Sequence, residues 1–88
     1  MRVLIVGSNM RIMMQDVQAG LMPSSVESVS LRSGEFRLKD GSEIRVANIE
    51  NMDDVDRLSG LRFDLVVEHE TFSRNYELYI AVRNRVQR

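Results

Sequence analysis

Cysteine is absent from the 88 residues, which excludes disulfides, thiolate metal sites and cysteine nucleophiles and fits a reducing cytoplasm, the expected location. Histidine occurs once, as His69. A stand-alone transition-metal site of three or four converging ligands is therefore not expected, and no Ser-His-Asp set stands out among the many aspartates. The only proline, Pro23, sits in a turn, and no repeat, low-complexity tract or linker divides the chain. Long apolar runs are missing too: Val3 to Val6 gives way at once to Gly7-Ser8-Asn9, too soon for a signal peptide or a membrane span. Charge of one sign is lacking, with a net charge of −1, so electrostatic capture of nucleic acid is not the main work of this chain. Finally, no glycine-rich phosphate cradle of the form GxxxxGK[ST] occurs.

What is present describes one α/β domain over residues 1–88, with 43% hydrophobic and 28% charged residues. A chain this short hides only about 60% of the surface its unfolded form exposes, so its core is thin. Val3 to Val6 reads as a strand covered on both faces. A helix follows, capped by Asn9, with Met10, Met13, Met14, Val17 and Leu21 on the inner stripe, Arg11, Gln15, Asp16 and Gln18 toward water, and Gly20 and Pro23 as its stop. From Val26 the period becomes two, through Val29 and Leu31, then Phe36 and Leu38, then Ile44 and Val46. Parity fixes the hairpin turn. A two-residue Asp40-Gly41 loop would point the two apolar sets to opposite faces, whereas a three-residue Lys39-Asp40-Gly41 loop, with Gly41 left-handed, sets Phe36 opposite Ile44. A short helix in Asn51 to Gly60 carries Asp53, Asp54 and Asp56 early and ends at Gly60. Leu65-Val66-Val67 forms a buried strand ending at Glu68. The last helix is predicted from a stripe of Phe72, Tyr76, Tyr79 or Ile80, and Val86, capped by Thr71 or Ser73, with Arg74, Arg83, Arg85 and Arg88 on its other faces.

Two readings accompany each cluster of polar residues. Glu68-His69-Glu70 is either a degenerate nucleotide or metal site or a solvated strand end where polar residues begin. Gly7-Ser8-Asn9 follows a strand but lacks the G-x-G-x-x-G fingerprint; Asn9 at a helix amino end either greets an anion or simply caps. Glu50, Asp53, Asp54 and Asp56 lack the central Gly and distal Glu of a calcium loop and read as helix-start charges. Arg83, Arg85 and Arg88 either touch DNA or RNA or form a solvated face.

The stretch GEFRLKDGSEIRVANIENMDDVDRLSGLRFDLVVEHETF, followed by a helix ending AVRNRVQR, resembles the ATPase core of the large subunit of tailed-phage terminases, the motors that push DNA into capsids. In that family a hairpin with N/D-G-S-x-I precedes an acidic stretch, an Arg-Gly pair, and a hydrophobic strand ending in Asp-Glu, the Walker B motif. The opening RVLIVGSNMRIMMQ is similar to the strand and helix that follow the phosphate-loop helix. The resemblance puts Glu70 at the catalytic Glu that orients the attacking water, His69 at the Asp that holds Mg²⁺, and Ser59, before Gly60, at the family's Arg. The metal position thus rests on His69 or, with the register moved by one, on Glu68. His69 and Ser59 are departures, and an imidazole is a poor partner for Mg²⁺.

The expected fold is α/β: a mixed sheet with a parallel portion and an antiparallel hairpin, in the order β-α-β-β-β-α-β-α, with the first and last helices packed on it. The strand bearing a phosphate loop is missing, so an open sheet edge is expected, and with it a homo-oligomer or a protein partner. The resemblance implies a terminase-like ATPase fragment that does not hydrolyse ATP alone, with ATP and Mg²⁺ engaged only when missing segments are supplied, and with DNA as a further partner. The candidate binding residues are Asn9, Ser59 and Gly60. The alternative is a non-catalytic phage accessory protein that binds a nucleotide-like ligand or a host protein through its sheet edge or Met-rich face. No membrane association is expected.

Overall fold

Residues Arg2–Gly7 form β1, and this strand lies inside a five-stranded sheet of order β2-β3-β4-β1-β5. The computed structural model of the chain describes residues 1–72 and 76–87. After β1 come α1 (Met10–Gly20), a 3₁₀ turn (Pro23–Ser25), β2 (Val26–Ser30), β3 (Glu35–Leu38), β4 (Glu43–Asn48), α2 (Met52–Asp56), β5 (Leu65–Glu68) and α3 (Tyr76–Val86). The fold is α/β with the predicted order of elements. β1 pairs in parallel with both β4 and β5, while β2, β3 and β4 form an antiparallel meander.

Because β1 has parallel partners on both sides, the chain steps one way from β1 to β4 and the other way from β4 to β5. Parallel crossovers are right-handed, so opposite steps place their helices on opposite faces. Packing agrees. Met13 and Met14 of α1 cluster with Phe36 and Val46 on one face, and Ile5, Met10, Val17, Leu21 and Ile44 close around them. On the other face Leu4, Val6 and Val66 meet Val55 of α2 and Leu78, Val82 and Val86 of α3. β1 feeds both cores by alternation, which is why it reads as a continuous apolar run.

Local signals act as their chemistry dictates. Asn9 caps α1 by accepting the Ile12 N–H at 3.1 Å, and Asn51 caps α2 by accepting the Asp54 N–H at 3.1 Å. The β3-β4 hairpin takes the three-residue loop: Phe36 pairs with Ile44, the Gly41 N–H donates to the Leu38 carbonyl at 3.0 Å, and Gly41 has φ +91. Asp40 accepts the Ser42 N–H at 2.8 Å, and that bond holds its carboxyl below the usual carboxylate range. Gly60 ends the α2 segment in the left-handed region with φ +89. Gly20 does not play this part: it is the last helical residue, and Leu21 leaves the helix extended.

Three expectations are corrected. The buried stripe of α3 is Leu78, Val82 and Val86, spaced by four, whereas Tyr76 is 74% exposed. Leu31 falls in the turn after β2 and lies open, so its alternation with Val29 does not continue a strand. β5 is a strand ending at Glu68 but lies at the sheet edge, with only Val66 buried and Leu65 and Val67 partly bare. The amino end of α3 adjoins residues outside those described; the Thr71 hydroxyl, one expected cap, meets Ser8 and His69, as shown below. The alternative cap Ser73, with Arg74 and Arg88, lies outside the described residues. Among the described residues no helix is long and apolar enough to cross a membrane.

Gly34 joins β2 to β3 at φ +71, and a Cβ there would stand 2.7 Å from the Val46 carbonyl oxygen and 2.4 Å from Met10 Cε. Gly41 has the same backbone demand but open space around it. Gly34→Ala is therefore expected to lose about 2–4 kcal/mol, more than Gly41→Ala, which pays only backbone strain of about 1–2 kcal/mol. Urea melts of the two variants check the order, and equal losses would mean that the approach of β4 is not what requires glycine.

Candidate functional site

The carboxyl ends of β1 and β5 lie side by side, and the chain leaves them toward opposite faces, to α1 and to α3. In open α/β sheets this is where ligands are bound. Here the two exits are stitched together. The His69 N–H donates to the Val6 carbonyl at 2.8 Å, the Ser8 N–H donates to Thr71 Oγ1 at 3.2 Å, and the Ser8 hydroxyl donates to the Thr71 carbonyl. Gly7 makes the approach possible: a Cβ on it would stand 2.5 Å from Thr71 Oγ1 and 2.4 Å from Met13 Sδ. The space a phosphate would need at this turn is filled by the protein's own side chains.

Chemistry gathers on the α1 side. Alternation along β5 puts Leu65, Val67 and then His69 on that face. His69, only 12% exposed at its side chain, points Nε2 at Asp16 Oδ2 of α1, 2.7 Å away. Its Nδ1 stands 2.8 Å from Thr71 Oγ1 and accepts the Thr71 N–H at 3.1 Å. One tautomer satisfies every contact, with the proton on Nε2 donated to the carboxylate and Nδ1 as acceptor. Glu70 brings a second carboxylate: one ligand atom from each of Asp16, His69 and Glu70 lies within 4.8 Å of the others. The groove beside them, about 510 Å³, is floored by Ile5, Val17 and Val67 and rimmed by Asp16, Glu68, His69 and Glu70.

The predicted residues divide between the two ends of the sheet. Glu68, His69 and Glu70 share this groove. Asn9 lies on the adjoining exit from β1, but its side chain is spent on capping α1. Ser59 and Gly60 lie before β5 begins, where Ser59 Oγ accepts from Arg85 Nη1 at 3.0 Å near the carboxyl end of α3. They do not join the cluster. Arg85 also pairs with Asp56 at 2.9 Å, and Arg83 lies over the Tyr79 ring at 5.8 Å. Asp16 was assigned to solvent by helical periodicity; its place opposite His69 follows only from the pairing of β5 beside β1.

Neither group implied by the terminase resemblance fits these residues. ATP finds no phosphate cradle, because the glycine turn after β1 is packed and its Ser8 N–H already bonded. For Mg²⁺, an all-oxygen set is preferred, whereas the most buried donor here is an imidazole nitrogen. Comparisons with protein-family models, with curated proteins and with solved structures found no match to this chain.

Gly7→Ala is expected to cost about 1–3 kcal/mol, because Met13 is fully buried and Thr71 is held by two bonds, so neither can yield freely. Chemical denaturation measures it, and a neutral effect would show that the two exits can part without cost.

Proposed function

We propose that this domain is the sheet portion of a nucleotide-driven DNA-packaging motor of the terminase kind, inactive alone and completed by a strand from outside these residues. The observation that supports the reading is the outer edge of β5, along which no strand pairs among the described residues and whose tip carries Glu68, His69 and Glu70. The two sheet edges differ. β2 is interrupted by a bulge between Val26 and Ser28 and carries Glu27, Ser28 and Ser30, features that discourage pairing. β5 has no bulge in its pairing, and its exposed Leu65 and Val67 offer apolar contact to an added strand between the Phe63–Gln87 bridge at one end and the charge of Glu68 at the other. Such a strand would stand next to the carboxylate cluster, where a phosphate loop belongs in the resembled family. This chain would contribute the sheet and an exposed carboxylate, Glu70, and the nucleotide would be held by the incoming segment.

A second reading, an accessory protein that binds a partner through the same edge without catalysis, draws on the engagement of His69 by Asp16 and Thr71 and on the exposure of Met22 and Leu31. A polypeptide supplying a GxxxxGK[ST] loop on a strand separates the two. The motor reading expects ATP turnover above that of the polypeptide alone, lost in Glu70→Gln and in Val67→Lys. Turnover that never rises with any such segment discards that reading. A complex that forms through the β5 edge, is broken by Val67→Lys and is indifferent to Glu70→Gln supports the accessory reading.

A further inference from the structure

The misfit with Mg²⁺ points to a different ion. We propose that Asp16, His69 and Glu70 bind a divalent transition-metal ion of the Zn²⁺ class, through His69 Nε2 and one carboxylate oxygen from each acid. The inference rests on these three side chains alone and needs neither the motor reading nor a nucleotide.

The donor set selects the ion. One imidazole with two carboxylates suits Zn²⁺, which takes nitrogen and oxygen ligands at about 2.0–2.2 Å in tetrahedral sites; Mg²⁺ and Ca²⁺ prefer oxygen throughout. Ligand atoms within 4.8 Å of one another are spaced so that small side-chain rotations bring them onto one centre. The donors are also held unequally. His69 is fixed by the β5 backbone through its N–H to Val6 and by Thr71 at its inner nitrogen, whereas both acids are exposed, with Asp16 engaged by His69 Nε2. Glu70 makes no hydrogen bond or ion pair among the described residues, so recruiting it breaks nothing.

Proton bookkeeping closes without net release. In the free protein the imidazole proton sits on Nε2, facing Asp16. On binding, the ion takes Nε2, the proton is carried instead on Nδ1, and Thr71 Oγ1, 2.8 Å away, accepts it. That bond is the outer support that orients metal-ligating histidines in general. The Thr71 N–H gives up its contact with Nδ1, and Asp16 exchanges a hydrogen bond for a metal bond. Three protein ligands leave the fourth tetrahedral position open to water or a ligand from the groove side, where Ile5, Val17 and Val67 form an apolar floor.

Chelator-treated protein titrated calorimetrically with ZnCl₂ is expected to bind one ion per chain and to melt at a higher temperature as Zn²⁺ is added. MgCl₂ at the same concentrations should give neither response. Glu70→Gln, at an exposed and unengaged position, should fold normally and weaken Zn²⁺ binding at least tenfold, and His69→Gln should abolish it. Thr71→Val should lower affinity about 10–100-fold by removing the bond at Nδ1. Absence of Zn²⁺ binding, equal response to Mg²⁺, or affinity unchanged in both Glu70→Gln and His69→Gln would overturn the proposal. None of these measurements involves ATP, so they stand apart from the outcome of the complementation experiment.

Discussion

Parallel pairing of β1 on both of its edges is the constraint from which the rest of this small structure follows. A strand with β4 on one side and β5 on the other must be apolar on both faces, and Val3 to Val6 supply that run. The two connections then travel in opposite directions, and their fixed hand divides the helices between the faces. In a chain of 88 residues this produces two thin cores instead of one thick one, each containing alternate residues of the same strand. Cutting β1 out of register by one residue would exchange the two cores completely, so the register is strongly specified.

The same arrangement creates the polar cluster. His69 continues the alternation of Leu65 and Val67 past the end of β5, and α1 crosses that face with Asp16 on its near side. Glycine at position 7 lets the exits of β1 and β5 touch, which brings Thr71 behind the imidazole. No single element carries this site: it takes one helix, the turn after β1 and the turn after β5, all indexed by β1.

Much of the fold was legible from local rules. Side-chain parity alone fixed the three-residue turn and the Phe36–Ile44 pairing, because period two admits only one solution when both strands must face one core. The Asn9 cap and the stop at Gly60 were legible for the same reason, since each answers a backbone need within three residues. Long-range facts were not. The position of β5 at the edge depends on pairing order, which periodicity does not encode, so its apolar run reads as a buried strand. Of the stripe expected for the last helix, Phe72 and Val86 are buried, but Tyr76 is not: the tyrosines and Ile80 offer a competing spacing, and the choice of Leu78 and Val82 is made by Phe63, Val66 and the rest of the second core. Asp16 went unnoticed because a charged residue on the outer flank of an amphipathic helix looks the same whether it meets water or the next strand's histidine.

The contrast between the blunted rim at β2 and the bare rim at β5 sets a limit on assembly. A body adhesive along both rims can add neighbours without end and grow into a fibre. A body adhesive along a single rim would be satisfied after one addition, and the product would be a finite couple whose outward sides both decline further company.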